Sequence, residues 1–154
     1  MKCEEIFQYV KEQYGTEPEY LWKKDPDSAV LRHKNGKWYA IIMAVEKKTL
    51  GLEEDGKINI LDVKCDPDLV GMLIQTYGFL PGYHMNKRHW ITILLDESVS
   101  EAKTLDFLDM SYDLTESSKS PASIAQSNKQ WVGTCLYQEW YKPLLISCEA
   151  AIRL

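Results

Sequence analysis

Leu80-Pro81-Gly82-Tyr83-His84-Met85-Asn86-Lys87-Arg88-His89-Trp90-Ile91-Thr92-Ile93-Leu94-Leu95-Asp96 is the stretch whose reading decides the fold. Pro81-Gly82 supplies turn chemistry, and a cationic, aromatic-rich loop follows it. The loop runs directly into Trp90–Leu95, whose β-branched and apolar residues predict a strand. Tyr83, His84, Asn86, Lys87, Arg88, His89 and Trp90 are therefore expected side by side at the mouth of a sheet, where binding residues concentrate.

Working outward, the chain shows a regular order of elements. Cys3, Ile6, Phe7, Val10 and Tyr14 fall on one helical stripe, with Gly15 as its stop. Thr16–Asp27 predicts a connection with a short strand at Tyr20–Lys23. Ala29–His33 and Lys37–Val45 flank Asn35-Gly36, the strongest local hairpin signal, in which both turn residues are expected at positive φ. Leu50–Gly56 is a second turn, and Lys57–Lys64 a third strand. Asp66-Pro67 places an N-cap and an N1 proline before a helix whose apolar face is Leu69, Val70, Leu73 and Tyr77, ended by Gly78. Ser98-Val99-Ser100-Glu101 has capping-box spacing. It predicts a last helix through about Leu114 with Ala102, Leu105, Leu108 and Tyr112 turned inward. The expected fold is α+β, ordered α-β-β-β-α-β-α, an antiparallel sheet of four to five strands packed against helices, with a C-terminal extension.

The 154 residues, 45% of them hydrophobic, suffice for one core, placed at residues 1–115. Residues 116–129 are Ser-rich and predict a linker. Residues 130–154 carry Trp131, Tyr137, Trp140, Tyr141, Leu144, Leu145 and Ile146. Such an aromatic extension is expected to pack on the domain, on a partner, or on a second copy of the chain. The N-terminal residues show no signal-peptide stretch, and no apolar run approaches the roughly 20 residues that cross a bilayer, so a cytoplasmic location without membrane contact is expected.

Charge decides which partners are worth considering. The net charge is −5, but its sign alternates along the chain. Tyr20–Leu50 carries a balance of +4, whereas Glu97–Glu116 carries −5. A polyanion-binding face would have to come from the first of these with Lys87 and Arg88 added. The net acidity weighs against such a face.

The motifs of catalysis are missing. There is no Gly-x-Gly-x-x-Gly, Walker loop, Gly-x-Ser-x-Gly or His-Glu-x-x-His, so no catalytic residue and no cofactor is assigned. Cys3, Cys65, Cys135 and Cys148 have neither zinc-finger nor Cys-x-x-Cys spacing and are expected as reduced thiols. Cys65 stands beside a helix start, where a thiol pKa can fall, but packing is the expected role. His33, His84 and His89 are expected as structural histidines, and no metal site is assigned. Glu101, Asp106, Asp109, Asp113 and Glu116 are expected to form a solvated helix face, since one helix cannot supply convergent oxygens for a hard cation. Trp38 and Trp90 are expected in the core, and Lys23-Lys24 and Lys47-Lys48 in solvent.

Three strings in this order resemble the MmcQ/YjbR family of small proteins with a frataxin-like (CyaY-like) fold. They are Asn35-Gly36-Lys37-Trp38-Tyr39-Ala40, Leu61-Asp62-Val63-Lys64-Cys65-Asp66-Pro67 and Gly82–Trp90, and Leu108-Asp109-Met110-Ser111-Tyr112 looks like the family's closing helix. The resemblance spans roughly Met1–Thr115; the C-terminal extension departs from it. It implies weak, non-specific DNA binding through two β wings. The candidate residues are Arg32, Lys34, Asn35 and Lys37 of the hairpin, with His33 beside them, and Asn86, Lys87, Arg88 and His89 of the loop. Two other classes stand beside this one. The first is a protein-interaction adaptor using the sheet face or the C-terminal extension. The second is a small-ligand or metal pocket under the Tyr83–Trp90 loop.

Overall fold

The computed structural model describes residues 1–116. The expected linker and aromatic extension lie outside the described residues, except Glu116, which ends the last helix. Helix α1 spans Cys3–Tyr14, strand β1 Ala29–Arg32 and strand β2 Trp38–Glu46. A 3-10 turn at Lys47–Leu50 leads to strand β3 at Lys57–Lys64 and helix α2 at Pro67–Leu73. Strand β4 at Phe79–Pro81, strand β5 at Trp90–Leu94 and helix α3 at Glu101–Glu116 complete the order. All pairings are antiparallel and the sheet runs β1-β2-β3-β5-β4. The α+β class holds, with one strand more than the expected order.

The extra strand is β4. Phe79, Leu80 and Pro81 pair with Ile93, Thr92 and Ile91. Three residues ending in proline carry no periodicity, and proline is tolerated there because β4 is an edge strand. Helix α2 also stops earlier than expected. Asp66 caps it by accepting from the Asp68 N–H at 2.9 Å, but the helix ends at Leu73 and Tyr77 is 74% exposed. No strand forms at Tyr20–Lys23; only Glu19 bridges to Val30.

Strand alternation sorts the two faces of the sheet. Phe79 meets Phe107 of α3 with ring centroids 5.3 Å apart, so its partner Ile93 also faces the helix. Thr92 and Leu94 then face the other way. On that second face Val45, Ile58, Ile60 and Leu94 form a buried cluster, covered by Met43, Leu50, Leu52, Leu80 and Tyr83. The sheet is thus covered on both sides, which explains the unbroken buried runs Ile60–Val63 and Ile91–Leu94.

Helix α3 crosses β2 and β3, and its inward face is more polar than the sequence suggests. The buried positions are Thr104, Phe107, Leu108, Ser111 and Thr115, whereas Ala102 is exposed. The expected capping box is not formed: Ser98 Oγ is buried and has no hydrogen-bond partner among the described residues. Its hydroxyl is instead pressed toward Gly78, and the Ser100 carbonyl opens the helix by accepting from the Thr104 N–H at 3.0 Å.

Ser111 explains why α3 turns a hydroxyl to the sheet. Between Leu31–Ala40 and Arg32–Trp38 the register slips, leaving Tyr39 as an extra residue in β2. Beyond Ala40–Val63 the β2–β3 ladder also stops. There Ser111 Oγ accepts from the Lys64 N–H at 2.7 Å and donates to the Tyr39 carbonyl. One hydroxyl thus satisfies two backbone groups left open by the bulge. The bulge also breaks alternation, and Tyr39 meets Tyr14, His33 and Tyr112 on the helix side.

Replacing Ser111 with alanine leaves both backbone groups buried without partners. Ser111→Ala is expected to lower unfolding stability by about 1–3 kcal/mol, read as a lower urea midpoint at unchanged slope. An unchanged midpoint would show that the bulge is satisfied otherwise.

Candidate nucleic-acid interface

Antiparallel pairing brings the hairpin and the loop to one end of the sheet. Arg32 ends β1, Trp38 begins β2, Lys64 ends β3, Trp90 begins β5 and Pro81 ends β4. The hairpin tip and the β4–β5 loop therefore project from the same edge, with β3 between them. At roughly 4.8 Å per strand, β2 and β5 stand about 10 Å apart.

Each projection is shaped by an asparagine. In the hairpin, the Gly36 N–H donates to the His33 carbonyl at 2.9 Å and the His33 N–H to the Lys37 carbonyl at 2.9 Å. Only Gly36 has positive φ, at 86°, so the turn is a three-residue loop closed by a bulge, not the two-residue turn expected from Asn-Gly. Asn35 Oδ1 accepts the Lys37 N–H at 3.0 Å. In the loop, Asn86 Oδ1 accepts the Arg88 N–H at 3.0 Å and the Asn86 carbonyl accepts the His89 N–H at 3.0 Å. Both asparagines are turn-formers, with their carbonyls committed to the backbone.

The loop is tied down at both ends. The Gly82 N–H donates to the Trp90 carbonyl at 3.1 Å, and a Cβ on Gly82 would stand 2.8 Å from that of Trp90. The Cys65 N–H donates to the His89 carbonyl at 2.8 Å, fastening the loop to the end of β3. His84 is exposed at φ 57° with its ring tilted against Tyr83.

The cations are not equally available. Lys34, Lys37, Lys87 and Arg88 are exposed, and none pairs with a carboxylate among the described residues. Lys64, absent from the sequence-derived set, adds a half-buried lysine on the strand between the two projections. Arg32 is different. Glu19, held beside β1 by backbone bonds to Val30, takes both Nε and a terminal nitrogen of Arg32, so this guanidinium is already neutralised. Asp66, Asp68 and Glu116 also end or begin elements at this edge, which makes the surface mixed in charge.

The histidines do not converge. His33 is buried, and burial lowers its pKa against the opposing pull of Glu116. Its Nε2 lies 2.7 Å from Thr115 Oγ1, which donates its own proton to the Ser111 carbonyl at 2.7 Å. The hydroxyl must therefore accept from His33, fixing the Nε2–H tautomer. No group of three His, Cys, Asp or Glu able to hold a metal occurs among the described residues.

Packing bears on three further expectations. The Cys65 thiol is buried, and burial, then the Asp66 charge, pushes its pKa up to about 12, so it is unreactive packing. Asp109 is no solvated ridge position: it accepts from Tyr9 at 2.8 Å and from Tyr14, clamping α1 to α3. Burial and then the bond to Asp109 raise Tyr9 to about 12. Tyr83 packs down on the second-face cluster, and a cleft of about 620 Å³ opens beside the hairpin, between Tyr14, Glu19, Arg32, His33, Lys34 and Tyr112.

One residue escaped the sequence reading. Asp62, in the middle of β3, is 0% exposed. It accepts from the Thr92 hydroxyl, and Thr92 Oγ1 accepts the Tyr83 N–H at 2.9 Å, so the loop hangs from β5 beside a buried carboxyl. Burial raises its pKa to about 7 against the opposing bonds from Thr92 and Tyr83. The signal was available: one Asp inside Ile58-Asn59-Ile60-Leu61-Asp62-Val63 shares the parity of the buried Ile58 and Ile60.

Comparison with known proteins supports this architecture. The family model YjbR matches residues 11–114. The uncharacterized protein YyaQ of Bacillus subtilis is 46% identical over 114 residues, covering 73% of this chain and 97% of that protein. The uncharacterized protein YbdF of Escherichia coli O157:H7 is 38% identical over 58 residues, covering 37% of this chain and 48% of that one. A crystal structure of a Pseudomonas syringae protein superposes with a TM-score of 0.73 at 38% identity, covering 75% of this chain and all of that one (100%). A Deinococcus radiodurans protein of 24% identity, covering 79% of this chain and 83% of its own, shares the fold with a TM-score of 0.59. No helix among the described residues is long and apolar enough to cross a membrane.

The raised Asp62 pKa has a definite sign. The folded state keeps the proton up to about 7 while the unfolded chain releases it near 3.8, so folding takes up a proton between these values. This contribution to stability falls as pH rises through that window and is flat above it. Asp62→Asn is expected to remove up to a few kcal/mol of that decline, seen by comparing urea unfolding at about pH 5 and about pH 8. Parallel pH dependence in variant and wild type would contradict the assignment.

Proposed function

The chain belongs to the YjbR family, and within that family we propose that it is a non-enzymatic module that binds the phosphate backbone of DNA weakly and without sequence preference. The observation that carries this reading is the gathering of Lys34, Lys37, Lys64, Lys87 and Arg88 at one edge of the sheet, with no carboxylate partner among the described residues. Such groups neutralise phosphates and release counterions, which supplies affinity without base recognition. The turn-forming duty of Asn35 and Asn86 fits the same picture: they hold Lys37, Lys87 and Arg88 outward and leave base reading to no obvious side chain. Arg32 is left out of the contact set because Glu19 holds it. His89 contributes its carbonyl to the loop anchor.

A second reading is favoured by a different surface. Tyr20, Leu21 and Trp22 are 58%, 44% and 38% exposed in one run, and Trp22 stands edge-on to Trp38 at 6.0 Å. Consecutive exposed apolar residues beside an edge strand suit a protein-interaction adaptor.

Fluorescence anisotropy with a labelled random-sequence duplex at about 50 and 200 mM salt separates the two readings. DNA binding predicts micromolar affinity that falls on the order of a hundredfold across this range if four phosphates are contacted, and its loss in Lys87→Glu/Arg88→Glu. No binding at the lower salt would remove this reading and leave the adaptor.

A further inference from the structure

Asp62 is the only fully enclosed carboxyl among the described residues, and its surroundings are incomplete in a specific way. Oδ1 accepts from the Thr92 hydroxyl, while Oδ2 is buried with no hydrogen-bond partner. Thr92 Oγ1 sits at a crossing. It accepts the Tyr83 N–H at 2.9 Å and lies 3.3 Å from the Pro81 carbonyl, a second acceptor for its single proton. Pro81 and Tyr83 bracket the entrance to the loop that carries Lys87 and Arg88.

One hydroxyl proton cannot serve two acceptors at once. With Asp62 ionised, the Thr92 proton is drawn to the carboxylate, which the Tyr83 N–H also favours, and the Pro81 carbonyl is left without its Thr92 donor. With Asp62 protonated, the carboxyl proton can donate to Thr92 Oγ1, and the Thr92 proton is released toward the Pro81 carbonyl. Thr92 then accepts from Asp62 and Tyr83 and donates to Pro81, so all of its hydrogen-bonding capacity is used. The change consumes one proton from solvent and breaks no covalent bond.

We propose that Asp62 and Thr92 form a proton-operated latch, in which uptake of one proton by Asp62 tightens the attachment of the Tyr83–His89 loop to β5. The latch stands on hydrogen-bond geometry and is independent of what the loop binds. Few groups compete for control of it. Ile41 faces Asp62 from β2 and Thr92 from β5, Lys64 lies two residues along β3, and Tyr83 and His84 head the loop. Burial governs the carboxyl's proton affinity, no neighbouring charge opposes it, and the transition near pH 7 places both states within reach of ordinary conditions.

The test is NMR of the full chain titrated from about pH 5 to about pH 9, following the Asp62 carboxyl carbon, the Pro81 carbonyl carbon and the Tyr83 and Thr92 amides. The latch predicts one shared inflection near neutrality in the wild type and in His84→Gln. It predicts loss of that inflection in Asp62→Asn. In Thr92→Val the Asp62 carboxyl still titrates but the Pro81 carbonyl carbon no longer follows it. The proposal is overturned if Asp62 in the wild type titrates in the ordinary carboxylate range, which needs no variant to fold. It is equally overturned if the Tyr83 inflection survives in Asp62→Asn, if the Pro81 inflection survives in Thr92→Val, or if either disappears in His84→Gln.

Discussion

The structure depends on β3. Over Ile60–Val63 it is paired with β2 on one side and with β5 on the other, and all four residues are buried. With water excluded from this stretch, its polar groups depend on donors and acceptors within the protein. Three features follow from that one constraint. Helix α3 turns Ser111 inward because the bulge at Tyr39 leaves two backbone groups open. The loop at the sheet edge is anchored through Thr92 because Asp62 needs a donor. Lys64, at the strand's end, emerges between the two projections that carry the other cations.

The antiparallel meander converts this packing into a surface. Strand ends that are far apart in sequence meet at one edge, and asparagine-built turns there hold lysine and arginine outward at little conformational cost. The same edge carries its own counterweights. Glu19 neutralises Arg32, and Glu116 lies near His33. A mixed surface of this kind suits weak, salt-sensitive contact with phosphates better than tight, base-specific recognition.

How much of this was legible in the sequence depends on whether the cause was local. Asn35-Gly36, Asp66-Pro67 and the Cys3–Tyr14 stripe name their own structures, because turn, cap and periodicity are properties of neighbouring residues. Yet Asn35-Gly36 also misled. The bulge inserts a residue and a three-residue turn replaces the two-residue one, a choice made by pairing across the sheet. Strand β4 was invisible because its only credential is its partner β5. The inward face of α3 was misjudged because Thr104, Ser111 and Thr115 look solvent-facing until the backbone groups they serve are known. At the candidate interface the cations could be named from composition, but the neutralisation of Arg32 and the burial of Asp62 are tertiary facts.

The central claim is that the hairpin tip, the end of β3 and the β4–β5 loop act as one phosphate-binding edge. Mapping amide shifts of the labelled protein on addition of a short random duplex at low salt tests it most directly. The account predicts that residues 34–37, 64 and 86–89 shift together along one binding curve, while Tyr20–Trp22, Tyr14 and Tyr112 stay still. Shifts confined to Tyr20–Trp22, or none at all in these three segments, would contradict it.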